Sequence, residues 1–184
     1  MSRMTILAAV AILLSASSFA SAVDPTTQPD YTVAPMRVQR LVKATYFYTE
    51  TQTTLPHIGD VVQKVMPQLM KVISDNHINV VGPIVFDYRG VGPNPDLPFE
   101  LRIGVIVSAN TAPAGDFRVG ELPSIKCASV IYTGPLNHVK AGYDALFQSL
   151  LGAGYLPTDV TREYYLYWEG ADSVNNIIMI EAGI

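Results

Sequence analysis

The chain has 184 residues, 49% hydrophobic and 15% charged, with a formal net charge of −4. Neutralising phosphates takes clustered Lys and Arg, so an acidic chain without a basic run excludes nucleic acid as its expected partner. The single cysteine, Cys127, cannot form an internal disulfide, and its place in the apolar run "IKCASVIYT" reads as a small buried hydrophobe with no base beside it.

Residues 1–22 have the pattern of a signal peptide: Arg3, then the apolar run "ILAAVAILL", then the small-residue site "ASA". The apolar run is shorter than a membrane span needs. The expectation is export to the periplasm or medium, a mature chain starting near Val23, and no stable membrane insertion after cleavage. Residues 23–37, rich in Pro and Thr and without periodicity, read as a flexible lead-in. Residues 38–184 remain for one domain.

Two segments have helical spacing. "LPHIGDVVQKVMPQLMKVISDN" carries Ile58, Val62, Val65, Met66, Leu69 and Met70 on one face. "GPLNHVKAGYDALFQSLLGAG" carries Val139, Tyr143, Leu146, Phe147, Leu150 and Leu151 on one face, and Gly152 and Gly154 suit its C-terminal cap. The stripes superimpose at a constant offset of 81 residues: Ile58 on Val139, Val65 on Leu146, Met70 on Leu151. Strand-like runs flank both. "RLVKATYFYTE" and "IKCASVIYT" precede the helices; "PIVFDYRG" with "FELRIGVIV", and "REYYLYWEG" with "NNIIMIEAGI", follow them. Each half therefore reads β-α-β-β, over about 38–108 and 116–184. The expected fold class is α+β: two pseudo-symmetric modules forming a concave antiparallel sheet surface, with two long helices on the opposite face.

Alternation along "TREYYLYWEG" sends Tyr164, Leu166 and Trp168 one way and Glu163, Tyr165 and Tyr167 the other. Leu and Trp are the better core residues, which predicts that the first set lies under a helix and the second faces away from the helices. The offset of 81 maps Ile84 onto Tyr165 and Phe86 onto Tyr167, so Ile84, Phe86 and Tyr88 are expected to share that helix-free face. A lone carboxylate among rings can recognise a cation, act as a general acid or base, or be a solvated residue on the wet side of a sheet. The residue pattern leaves these three open.

The second half resembles the GyrI-like small-molecule-binding domain, the effector-binding domain of many AraC-type and MerR-type regulators. The pieces that carry the resemblance are "ELP" before the strand, "YTGPL" into the helix, "GYLP" after it, Glu163-x-Tyr165-Leu166, and "GPIVFDYRG" in the first half. It extends over residues 38–183. It implies a ligand held between the two halves, away from the helices. In such domains a glutamate amid aromatic rings engages lipophilic cations, and some stand-alone members hydrolyse cyclopropane-bearing electrophiles with glutamate and tyrosine. Glu163, Tyr165 and Tyr88 carry over as ligand-binding residues, with Phe86, Tyr167 and Tyr48 added by position. Glu163 and Tyr165 would be catalytic only in a hydrolase. Tyr132 and Trp168 are further pocket or seam positions.

The leading expectation is therefore a non-enzymatic binding module for a lipophilic, cationic small molecule. A hydrolase of reactive electrophiles is the first alternative, and an interaction protein using its aromatic face as a dimer contact the second. No cofactor is expected. His57, His77 and His138 have no metal-ligand spacing, no residue pattern supports haem, and Asp116 and Glu121 read as solvated charges beside a strand.

Overall fold

The computed structural model describes residues 29–184; the expected signal peptide and residues 23–28 lie outside the described residues. The strands are β1 Thr32–Val33, β2 Arg37–Leu41, β3 Ala44–Thr53, β4 Val80–Arg89, β5 Phe99–Val107, β6 Arg118–Leu122, β7 Ile125–Thr133, β8 Val160–Tyr167 and β9 Ile177–Gly183. The helices are α1 Ile58–Asp75 and α2 Lys140–Gly152, each entered through a single 3-10 turn, Leu55–His57 and Leu136–His138. Gly154, at φ +78°, closes α2 in the left-handed conformation.

All nine strands join one antiparallel sheet in the order β1-β7-β9-β8-β4-β5-β3-β6, with β2 also paired to β7. The β-α-β-β repeat is present twice, as β3-α1-β4-β5 and β7-α2-β8-β9. Strands β4 and β8 meet at the centre. Ile84 and Tyr165 are cross-strand partners there and also the residues that the 81-residue offset superimposes, so the pseudo-two-fold passes between them. The strand leading into each module is exchanged: β2 precedes β3 but pairs with β7, and β6 precedes β7 but pairs with β3. The run "RLVKATYFYTE" is thus two strands, broken at Val42–Lys43 where the chain crosses between modules. Part of the expected lead-in is ordered as well. Tyr31 stacks on Tyr132 with ring centroids 6.0 Å apart, and Ala34 N donates to Ile131 O at 2.8 Å.

Each helix seals its own core. Val65 and Leu69 of α1 close over Phe47, Phe86, Leu101 and Ile103. Leu146 and Leu150 of α2 close over Val130, Tyr132, Ile178 and Ile180. Each fully buried aliphatic or aromatic side chain contributes about 1.5–3 kcal/mol. Tyr165 packs against both cores.

The face away from the helices is filled too, which corrects the expectation of an open surface there. Tyr46, Val85, Leu122 and Tyr164 form a third cluster. Beside it a row of alternating charge crosses five strands. Register places Glu50 opposite Arg102, Arg102 opposite Asp87, Asp87 opposite Arg162 and Arg162 opposite Glu181. Asp87, Arg162 and Glu181 are buried. Opposite charges directly across strands favour this register and oppose a slip.

Two expected results arise here. A Cβ on Gly104 would stand 2.1 Å from Phe47 O and 2.7 Å from Tyr48 Cα, both backbone atoms. Gly104→Ala should therefore lower stability by about 1–3 kcal/mol in urea titration. The second concerns Glu181. Burial pushes its carboxyl up to about 7, against the opposing pull of Arg162, and its Oε2 atom has no hydrogen-bond partner. In the unfolded chain the same carboxyl ionises near its ordinary 4.5. Between these two values the folded state holds a proton that the unfolded state has lost. Stability should fall as pH rises from 4.5 towards 7, by up to about 1.4 kcal/mol per pH unit. Glu181→Gln should flatten that part of the slope in urea titrations run across the window.

Candidate functional site

The cleft lies between the two helices, over the central strands β4 and β8, with a volume of about 800 Å³. Its floor is Ile84, Phe86 and Tyr88 from β4, with Thr161, Glu163 and Tyr165 from β8. One wall is Ile58, Val62 and Met66 of α1; the other is Val139, just before α2, with Lys140 and Tyr143 of α2.

This reverses the face predicted for the aromatic strand. Glu163 and Tyr165 point towards the helices, while Tyr164 is buried on the opposite face against Tyr46 and Val85. Leu166 and Trp168 are not core under a helix: they are 48% and 43% exposed. The physical reason is polar satisfaction. A carboxylate and phenols that hydrogen-bond one another can be buried cheaply, so residue hydrophobicity alone ranked the two rows wrongly.

Glu163 is the centre of the site. It is 5% exposed and accepts from three phenols. Tyr88 and Tyr165 donate to Oε2, each at 2.9 Å, and Tyr143 of α2 donates to Oε1. Burial raises the carboxyl above its ordinary value, and the three hydrogen bonds draw it partly back. Burial and the neighbouring carboxylate push Tyr88, Tyr143 and Tyr165 well above the ordinary phenol value. All three therefore keep their protons and remain donors. Phe86 completes the floor, its ring centroid 4.8 Å from that of Tyr165.

The structure thus brings Glu163, Tyr165, Tyr88 and Phe86 together. It does not bring in Tyr167, Tyr48 or Tyr132. The register shifts between Tyr165 and Tyr167, and this bulge turns Tyr167 outwards, where its hydroxyl donates to Glu169 at 2.7 Å. The same bulge returns Trp168 to the cleft side, edge-on to Tyr165 at 5.7 Å. Repeat equivalence of Phe86 and Tyr167 fails for this reason. Tyr48 lies on the other face, stacked on Tyr46 at 4.9 Å under the Arg102 guanidinium at 5.2 Å. Tyr132 is buried beneath α2 and donates to Pro135 O at 2.6 Å.

Tyr143 and Lys140 were not among the expected site residues. A tyrosine within the apolar stripe of α2 was the available signal, since a buried phenol needs a partner. The rim is fixed by the β8–β9 connection: Leu136 N donates to Ala171 O at 2.7 Å, tying the start of α2 to the segment that carries Trp168 and Ala171. Cys127 is buried, and its thiol is pushed up to about 12 by burial and the nearby Glu181 carboxylate. Among the described residues no group of three or more His, Cys, Asp or Glu is placed to hold a metal, and no helix is long and apolar enough to cross a membrane.

No protein-family model and no curated protein matches the chain. Solved structures do. The EcmrR C-terminal domain superimposes with a TM-score of 0.67 at 17% identity, over 83% of this chain and 96% of that one. Against EcmrR in its complex with DNA the TM-score and identity are the same, but this chain spans only 57% of that chain. SAV2435 bound to tetraphenylphosphonium superimposes with a TM-score of 0.60 at 16% identity, over 82% of this chain and 93% of that one. A hydrolase from Listeria innocua gives 0.51 at 10% identity, over 81% and 92%. The fold is GyrI-like, as the sequence resemblance implied, and α+β as expected.

Proposed function

We propose that the chain captures an apolar small molecule bearing positive charge in the cleft between its two modules. The observation that carries this reading is Glu163: a buried carboxylate, ringed by phenols, at the base of a largely apolar cavity. Such a carboxylate is costly to ionise when the cleft is empty. A ligand cation offsets that cost, and the ring faces of Phe86 and Tyr165 add cation–π attraction. The binding of tetraphenylphosphonium by SAV2435, which shares the fold, supports this class of ligand.

A hydrolase would need a water seated on Glu163. Three phenols already occupy three of the roughly four lone-pair positions of the carboxylate, which favours capture over turnover. The aromatic side chains line a concave cleft, which likewise favours a small ligand over a flat dimer contact.

The test is calorimetric titration of the purified domain with tetraphenylphosphonium, together with product analysis after incubation with a cyclopropane-bearing electrophile. Saturable 1:1 binding without product is expected. Absence of binding overturns the reading, and product formation replaces it with the hydrolase. The leader pattern of residues 1–22 supports capture outside the cytoplasm; a protein found in the cytoplasm with residues 1–22 still attached would contradict it.

A further inference from the structure

Two charged side chains line the cleft: Glu163 at its base and Lys140 on the wall formed by α2. Lys140 lies three residues before Tyr143 on the same helix, which displaces it about 4.5 Å along the axis towards the N-terminal end. The phenol of Tyr143 reaches Glu163, so the two side chains leave α2 at levels almost one helical turn apart. Lys140 lines the cavity, and its head is held by Asp144, with Nζ 2.8 Å from Oδ1 and 2.7 Å from Oδ2.

Asp144 does not itself line the cleft. It holds the ammonium without exhausting it: an ammonium has three donors, and one carboxylate engages at most two of them. Both side chains are about one-third exposed, so sharing the ammonium with a ligand acceptor costs little. The facing wall offers no competing acid. α1 contributes Val62, Gln63 and Met66, while Asp60 of its first turn is exposed and pairs with His57. A purely cationic ligand would leave Lys140 as a like charge in the cleft wall. A ligand with a negative or strongly accepting group on that side would use it.

We propose that the cleft selects amphoteric ligands: a polycyclic or aromatic body whose cationic centre meets Glu163 and whose carboxylate, or equivalent acceptor, meets Lys140 near the N-terminal end of α2. This rests on the capture reading and adds a second polar anchor to it.

Rhodamine B and its ethyl ester test it, because they share a cationic ring system and differ in the free carboxylate. Binding is read by fluorescence anisotropy on wild type and Lys140→Met, with tetraphenylphosphonium as the reference cation. Wild type should bind the acid about 5- to 10-fold more tightly than the ester, and Lys140→Met should bring the two affinities together. Equal affinities in wild type, or a preference that survives in Lys140→Met, overturn the inference. Tetraphenylphosphonium binding with neither dye bound also overturns it and leaves the capture reading standing. Failure of all three compounds sinks the capture reading and this inference with it.

Discussion

Glu163→Gln should weaken tetraphenylphosphonium binding by about 2–4 kcal/mol, roughly 30- to 700-fold in Kd. The substitution is nearly isosteric and keeps an amide oxygen that can still accept from the phenols, while removing the charge. The buried position makes that charge expensive when alone, so the folded variant should be at least as stable as wild type. A fall in affinity without a fall in Tm then separates a binding role from a structural one. The pH dependence has a definite sign. Burial raises the Glu163 carboxyl, and only its ionised form attracts a cation. Wild-type affinity should therefore decline as pH falls through that raised value, beginning above the range of an ordinary carboxylate. Below it, binding should release a proton, seen as a calorimetric enthalpy that varies with the buffer's ionisation enthalpy. Glu163→Gln should lose both the pH dependence and the buffer dependence. A variant that binds like wild type would remove Glu163 from the site.

Local pattern was enough to read most elements. The runs "IKCASVIYT" and "FELRIGVIV" coincide with β7 and β5, and the apolar stripes of α1 and α2 carry the repeat in their spacing alone. A further signal lay in plain view: Arg37, Val38 and Leu41 recur 81 residues on as Arg118, Val119 and Leu122, which mark β2 and β6. That these two strands exchange modules was not legible, because partner choice is a long-range matter that residue patterns do not encode. The face of β8 was misread for a different reason. Tyr164 and Tyr165 are equally aromatic neighbours, and what divides them is partnership: Tyr165 finds Glu163, while Tyr164 packs with Tyr46 and Val85. Such choices are made by cross-strand and helix contacts far apart in sequence. Tyr167 was lost to a single bulge, which alternation by definition assumes away.

Arg162→Met should cost about 3–5 kcal/mol in urea titration, the expected scale for removing one partner of a buried ion pair. Arg162 is 2% exposed, with Nε 2.9 Å from Asp87 Oδ1 and Nη1 3.1 Å from Pro123 O. Asp87 would keep Arg89, 2.8 Å away, which places the expected cost towards the lower part of that range. The Asp87–Arg162 pair lies between two rows of the floor on the other face, Phe86 opposite Glu163 and Tyr88 opposite Thr161. It therefore fixes the register that presents Tyr88 to Glu163. Replacing both members should be far milder than the two single losses added together, because no unpaired buried charge remains between β4 and β8. Arg89 is partly exposed and can turn to solvent, and Glu181, freed of Arg162, can hold its proton. An Asp87→Leu/Arg162→Met double variant more stable than Arg162→Met alone is thus expected. If the double variant is the less stable of the two, the row is holding the sheet by packing rather than by charge.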